Sequence, residues 1–262
     1  MRQDVAAAAR WLLERLSRGV VLRRRLAARW GGATLYVSPE HGGLKYWRWD
    51  LERIDPPLLA LAEELVTPGA TVWDVGANVG LFAVPAAHRA GPSGRVLAVE
   101  PDVECASLLV RTARGLAPAK YAPVQVLAAA VAPPGERLVE LAIAERSRSA
   151  NALAGYGSTE MGGRRESRLV PAYALDDLVA LLPTPDLVKI DVEGAEAAVL
   201  AGAEQLLGAV RPVLIVEVAL PNSPAVTAVL RRHGYRLLDG EVARGQRSEV
   251  AQAPWCCLAL PA

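Results

Sequence analysis

The sequence predicts an α/β fold: a mostly parallel sheet doubly wound by helices on both faces. Three observations carry that expectation. Short apolar runs recur along the chain, at Thr71–Val75, Arg95–Glu100, Leu187–Asp191 and Val213–Glu217, and runs apolar at nearly every position suit strands buried on both faces. Helical stretches separate them, such as the face formed by Val199, Leu200, Ala203, Leu206, Leu207 and Val210, which lets each crossover return right-handed to a parallel strand. A glycine turn, Gly76-Ala-Asn-Val-Gly80, joins the first of these strands to the next helix. At 262 residues, 52% of them hydrophobic, the chain is long enough to bury one large core.

The elements follow in order. Residues 1–30 hold eight arginines against Asp4 and Glu14, a net of +6 that leaves −5 for the rest. Trp11, Leu12, Leu16, Val20, Leu22 and Leu26 recur near helical spacing, so this stretch reads as a basic amphipathic helix. Its apolar side covers its own domain or lies on an anionic membrane surface. Residues 1–55 form this helix and a cap, with strands expected at Leu35–Val37 and Leu44–Trp49. Residues 56–262 form the main domain, opened by Pro56-Pro57 and a helix through Leu65. After Thr71–Val75 a helix runs to about Ala90, and Pro85 inside it delays its start or bends it. Pro101-Asp102 opens the next helix, since proline and an acid suit a first turn. Val124–Ala130 is a third strand, and Tyr235–Leu238 with Trp255–Leu260 a closing pair. Residues 144–168, rich in Gly, Ser and Arg, read as a flexible, substrate-facing insertion.

Composition excludes several classes. Three cysteines, 105, 256 and 257, give neither a disulfide framework nor metal-knuckle spacing, so a reducing, cytoplasmic setting is expected. No apolar run is long enough for a membrane-spanning helix. Twenty-nine basic residues against 28 acidic ones argue against nucleic acid as a partner of the whole chain.

The chemistry concentrates at Asp74-Val-Gly-Ala-Asn-Val-Gly80. Ligands of open α/β sheets bind at the carboxyl ends of the strands. Gly76 permits a tight turn there and Gly80 a close helix approach. Glu100, twenty residues beyond Gly80, can accept hydrogen bonds from both hydroxyls of a ribose. A dinucleotide fingerprint would need Gly-x-Gly-x-x-Gly. Asp74, which would repel a pyrophosphate, instead suits the cationic amine of S-adenosylmethionine.

Val72–Gly80, Val99-Glu-Pro101, Leu175-Asp-Asp-Leu178, Val188-Lys-Ile-Asp-Val-Glu-Gly-Ala-Glu196 with Val199-Leu-Ala-Gly202, and Glu217 occur in the order of a known family. Over roughly residues 55–235 the chain resembles the FkbM methyltransferases. The resemblance implies a Rossmann-like class I methyltransferase fold with a seven-stranded sheet. It also implies O-methylation of a small-molecule acceptor, a hydroxyl of a sugar or natural product. Carried over by residue, Asp74, Gly76, Asn78 and Gly80 hold the methionine end of S-adenosylmethionine, Glu100 the ribose, and Asp102 borders the adenine. Asp191 faces the transferable methyl group.

Asp191, Glu217 and Glu193 are the candidate catalytic residues, with Glu193 equally readable as part of a strand-to-helix turn. Glu196 reads as a helix-terminal acid. Asp191 and Glu217 end neighbouring strands and either act directly, one as base, or share a divalent cation such as Mg²⁺. Buried Lys189 needs a carboxylate partner, and Glu217 is one choice. His41 can reach an acceptor, His88 suits the surface, and His233 a helix C-terminus. The alternatives are a nucleotide-dependent oxidoreductase or epimerase, and a non-catalytic cofactor-binding module.

Overall fold

The computed structural model describes residues 15–145, 147–157 and 163–262. Its main sheet has seven strands: β1 (Thr71–Val75), β2 (Arg95–Val99), β3 (Val124–Leu127), β4 (Leu187–Ile190), β5 (Val213–Glu217), β6 (Tyr235–Asp239) and β7 (Cys256–Pro261). Their order is β6-β7-β5-β4-β1-β2-β3. All pairs are parallel except those of β7 with β5 and β6. The order reverses beside β1, where its carboxyl end and that of β4 open onto the same edge, so the fold creates its crevice there.

Side chains alternate across each strand and feed two cores. Trp73 and Val75 of β1 pack with Leu175, Leu178, Val199 and Leu200 on one face. Val72, on the other, packs with Leu59, Ala83 and Leu109. Those partners come from helices α1 (Pro56–Leu65), α2 (Ala83–Ala90), α3 (Val103–Ala113), α4 (Leu175–Leu181) and α5 (Glu196–Ala201); α6 (Ser223–Arg232) follows β5. Asp55 caps α1 by accepting from the Leu58 N–H at 3.0 Å, and Asp102 caps α3 through the Glu104 N–H at 3.0 Å. Pro85 lies in the first turn of α2, where its missing N–H costs no helical hydrogen bond. The late start expected from it is observed.

Three expectations require correction. Residues 1–14 lie outside the described residues, but Leu22–Arg25 is not helical. It is a strand paired antiparallel with Thr34–Val37, because Leu26, Trp30, Leu35 and Val37 bury against the α2–α3 face. Leu26 is therefore unavailable to a membrane. Leu44–Trp49 forms no strand; Gly43–Trp47 is a 3-10 helix. The described part of residues 144–168 is not structureless. Leu138–Ala144, Ala152–Leu153, Arg164–Tyr173 and Ala130–Val131 make a second, four-stranded sheet, anchored by buried Val139, Leu141, Ile143 and Val170. Among the described residues no helix is long and apolar enough to cross a membrane.

Candidate active site

A cleft of about 320 Å³ opens at the carboxyl ends of β1, β2, β4 and β5, within the size range of small-molecule sites. Gly76 leaves β1 with φ +78°, and a Cβ on it would stand 1.8 Å from the Asp191 carbonyl oxygen. Only glycine lets the β1 turn pass this close to the end of β4. Asn78, at φ 49°, donates its side-chain amide to the His41 carbonyl at 3.0 Å, which ties the cap to the turn. Gly80 serves helix packing, because its Cβ would meet Leu109 of α3 at 2.5 Å.

Glu100 lines the cleft just past the end of β2. Its two carboxylate oxygens accept from the Asn78 N–H at 2.7 Å and the Asp102 N–H at 2.8 Å. Each oxygen keeps a second lone pair, so the carboxylate arrives pre-oriented with acceptor capacity left for two hydroxyls. Burial pushes its carboxyl up to about 7, against the pull of those two amides.

Lys189 of β4 lies under the middle of the cleft, its side chain only 4% exposed. The ammonium stands 3.3 Å from Asp74 Oδ1 and 3.1 Å from Asp191 Oδ2, and donates to the Gly76 carbonyl at 3.0 Å. Burial works against its charge, but Asp191, Asp74 and Glu217 together hold it protonated. The partner expected for Lys189 is thus found on β1 and beside β4, while Glu217 acts on it across a longer gap. Asp74 is not among the residues that line the cleft. Its carboxylate is fully buried and neutralised from within, so it supports the glycine turn from below.

Asp191, Glu193 and Glu217 all line the cleft. Burial, followed by the nearby Asp191 charge, pushes Glu217 up to about 8. Glu193 is exposed at φ 46° in the turn before α5. Glu196 is buried, where it accepts from the Gly194 N–H at 2.8 Å and from Asn222 at 2.6 Å, the structural role expected of it. Among the described residues no group of three or more His, Cys, Asp or Glu could hold a metal ion, and Lys189 already takes one Asp191 oxygen. These side chains do not fit the shared divalent cation.

Asp102 is not among the residues that line the cleft. It is 1% exposed and accepts from Arg148 and Asn151, both at 2.8 Å. Arg148, whose side chain is 1% exposed, also pairs with Glu40 at 3.2 Å and Glu104 at 2.8 Å. Arg165 reaches Glu40 at 2.6 Å, and Arg168 reaches Glu104 at 3.0 Å. Burial raises the Glu40 carboxyl, but Arg165, the Gly19 amide and Arg148 bring it down to about 2. This network joins the cap, α3 and the second sheet, and it presents Arg148, Ser149 and Asn151 to the cleft. Sequence reasoning missed it: Glu40 and Arg148 are 108 positions apart, and Arg148 looks like its neighbouring arginines. His41 is buried beside the network with both ring nitrogens lacking partners, and burial lowers its pKa. The ring of half-buried His88 packs against Tyr121, and His233 is the C-cap of α6.

The sequence model of the Methyltransferase FkbM domain matches residues 74–237. No curated protein matches the chain. Among solved structures, a precorrin-6y C5,15-methyltransferase from Geobacter metallireducens GS-15 is 15% identical with a TM-score of 0.44, over 79% of this chain and 84% of that one. Methyltransferase FkbM from Methylobacillus flagellatus KT is 17% identical with a TM-score of 0.43, over 77% of this chain. The chain spans 50% of that relative's length. A SAM-dependent O-methyltransferase from Thermotoga maritima is 14% identical with a TM-score of 0.44, over 79% of this chain and 65% of that one. With the family motif spread along the rim of the β1–β4 crevice, the chain belongs to the FkbM methyltransferase family: it is an S-adenosylmethionine-dependent methyltransferase on a Rossmann-like class I fold.

Proposed function

We propose that the enzyme methylates a hydroxyl oxygen of a small-molecule acceptor, a sugar or natural product. The observation that carries the reading is the division of one cleft into two ends. Glu100, with both oxygens oriented by backbone amides, suits a ribose at one end. Asp191, just past the end of β4, and Glu217, the last residue of the neighbouring β5, suit a proton-bearing acceptor at the other.

When bound, S-adenosylmethionine supplies an electrophilic methyl carbon on its sulfonium sulfur. The Gly76–Asn78 turn and Glu100 would hold it directly. Asp74, Gly80 and Asp102 support the same site from behind its wall, through Lys189, α3 and Arg148 respectively. Lys189 fixes one Asp191 oxygen through their contact at 3.1 Å, leaving the other to orient the acceptor. Glu217, with a carboxyl raised to about 8, is matched to accept the hydroxyl proton near neutral pH. The hydroxyl proton displaced on methylation would end on Glu217. Glu193, exposed at the cleft's edge, contacts the acceptor outside the reacting atoms.

The test is incubation with S-adenosylmethionine labelled in its methyl group and a panel of hydroxyl- and amine-bearing acceptors, with products assigned by NMR. The expected product is a methyl ether, lost in Glu217→Gln. Label found only on nitrogen or carbon would overturn oxygen as the acceptor atom.

A further inference from the structure

The cap carries an exposed apolar patch that the methyl-transfer chemistry does not use. Trp49 is 80% exposed, Leu16 70%, Trp47 45% and Val21 44%. Contacts bring them together: the Trp47 indole N–H lies 3.3 Å from Ser17 Oγ, and the Val20 N–H bonds the Ser17 carbonyl at 3.1 Å. Arg24, itself buried, donates to the carbonyls of Tyr46, Trp47 and Arg48. Its guanidinium stands 4.5 Å over the Trp49 ring. The two tryptophans are therefore held exposed by contacts with Arg24 of the cap strand and with Ser17.

The surroundings of the patch are cationic. Arg23 and Arg48 are exposed and enter no ion pair among the described residues, while Asp50, the nearest acid in sequence, is occupied by Arg53 at 3.1 Å. Tryptophans that present an apolar body and a polar edge, flanked by arginines, match the boundary of an anionic bilayer. Leu16 and Val21 favour acyl chains over nucleic acid, where aliphatic groups would find no partner. Lys45 and Tyr46, in the same 3-10 helix as Trp47, line the cleft.

We infer that Leu16, Val21, Trp47 and Trp49, with Arg23 and Arg48, form a docking surface that seats the mouth of the cleft on an anionic membrane. The inference is independent of the acceptor's identity, because docking is read without cofactor or acceptor.

The test is co-sedimentation of the full chain with phosphatidylcholine vesicles, with and without phosphatidylglycerol, followed also by tryptophan emission. Binding and a blue shift are expected only with the anionic lipid. Trp47→Ser/Trp49→Ser and, separately, Arg23→Glu/Arg48→Glu are each expected to weaken binding about tenfold or more. Calorimetric titration with S-adenosylmethionine verifies that the variants are folded. If the arginine variant alone fails to fold, the tryptophan variant decides. No binding to anionic vesicles by the folded wild type, equal binding to neutral ones, or undiminished binding by the folded variants would overturn the inference. So would salt-sensitive binding to RNA in place of vesicles.

Discussion

Replacing Lys189 by methionine keeps the side chain's length and removes its charge. The ammonium is the partner of Asp74, whose carboxylate is fully buried, and a donor to the Gly76 carbonyl. Taking one member from a buried pair strands the other, at about 3–5 kcal/mol. At roughly 2–4 °C per kcal/mol for a domain near this size, melting should fall by about 6–20 °C. The sign with pH follows from the stranded acid. Without Lys189, Asp74 has a folded pKa above its unfolded value, so its protonated form favours the native state. The deficit of Lys189→Met should therefore shrink as pH falls and grow as pH rises toward neutrality. Adding Asp74→Asn removes the stranded charge and should recover most of the loss. Thermal denaturation by circular dichroism across a pH series reads all three arms. A loss below about 1 kcal/mol, a size ordinary for surface changes, would refute the buried-pair reasoning. So would a double variant no more stable than Lys189→Met.

Glu100→Ala should weaken S-adenosylmethionine binding by about 1.5–3 kcal/mol, the scale of hydrogen bonds to a charged group; unchanged affinity in calorimetry would remove it from the ribose role. Turnover should rise with pH through about 8 as Glu217 ionises, and this limb should vanish in Glu217→Gln; an identical profile in the variant would exclude Glu217 as the base. Arg148→Met leaves Asp102 and Glu40 buried without their shared cation, so it should cost about 3–5 kcal/mol in chemical denaturation. Wild-type stability there would mean the network is not a structural clamp.

The sheet was legible because its signals are local. Val72–Val75, Val96–Val99 and Val213–Val216 are short apolar runs closed by turn residues, and each is a strand. The acids beyond them, Glu100, Asp191 and Glu217, reach the cleft because strand direction fixes where a strand's last residue lies. What failed to show depended on distant partners. Leu22–Arg25 has helical apolar spacing, yet its backbone is claimed by Thr34–Val37 across the Gly31–Gly32 turn. The Gly, Ser and Arg content of 144–168 hid Arg164–Tyr173, although Leu169, Val170 and Ala172 near its end already departed from a loop's composition. Arg148 carries no local mark of burial. Its position is set by Asp102, Glu40 and Glu104, which only the tertiary fold assembles. Asp74 stands out in the motif, but the spacing of a motif does not tell a wall-lining acid from one paired with Lys189 beneath the wall.

The central claim is that S-adenosylmethionine binds in the cleft built by the Gly76 turn and Glu100. Calorimetric titration of the full chain, with Gly76→Val measured beside it, tests this most directly. The account predicts saturable one-site binding by the wild type. It predicts no binding by the variant, whose Cβ would stand where the Asp191 carbonyl already lies. A folded wild type that binds NAD but not S-adenosylmethionine, or a variant that binds it at full affinity, would contradict the account.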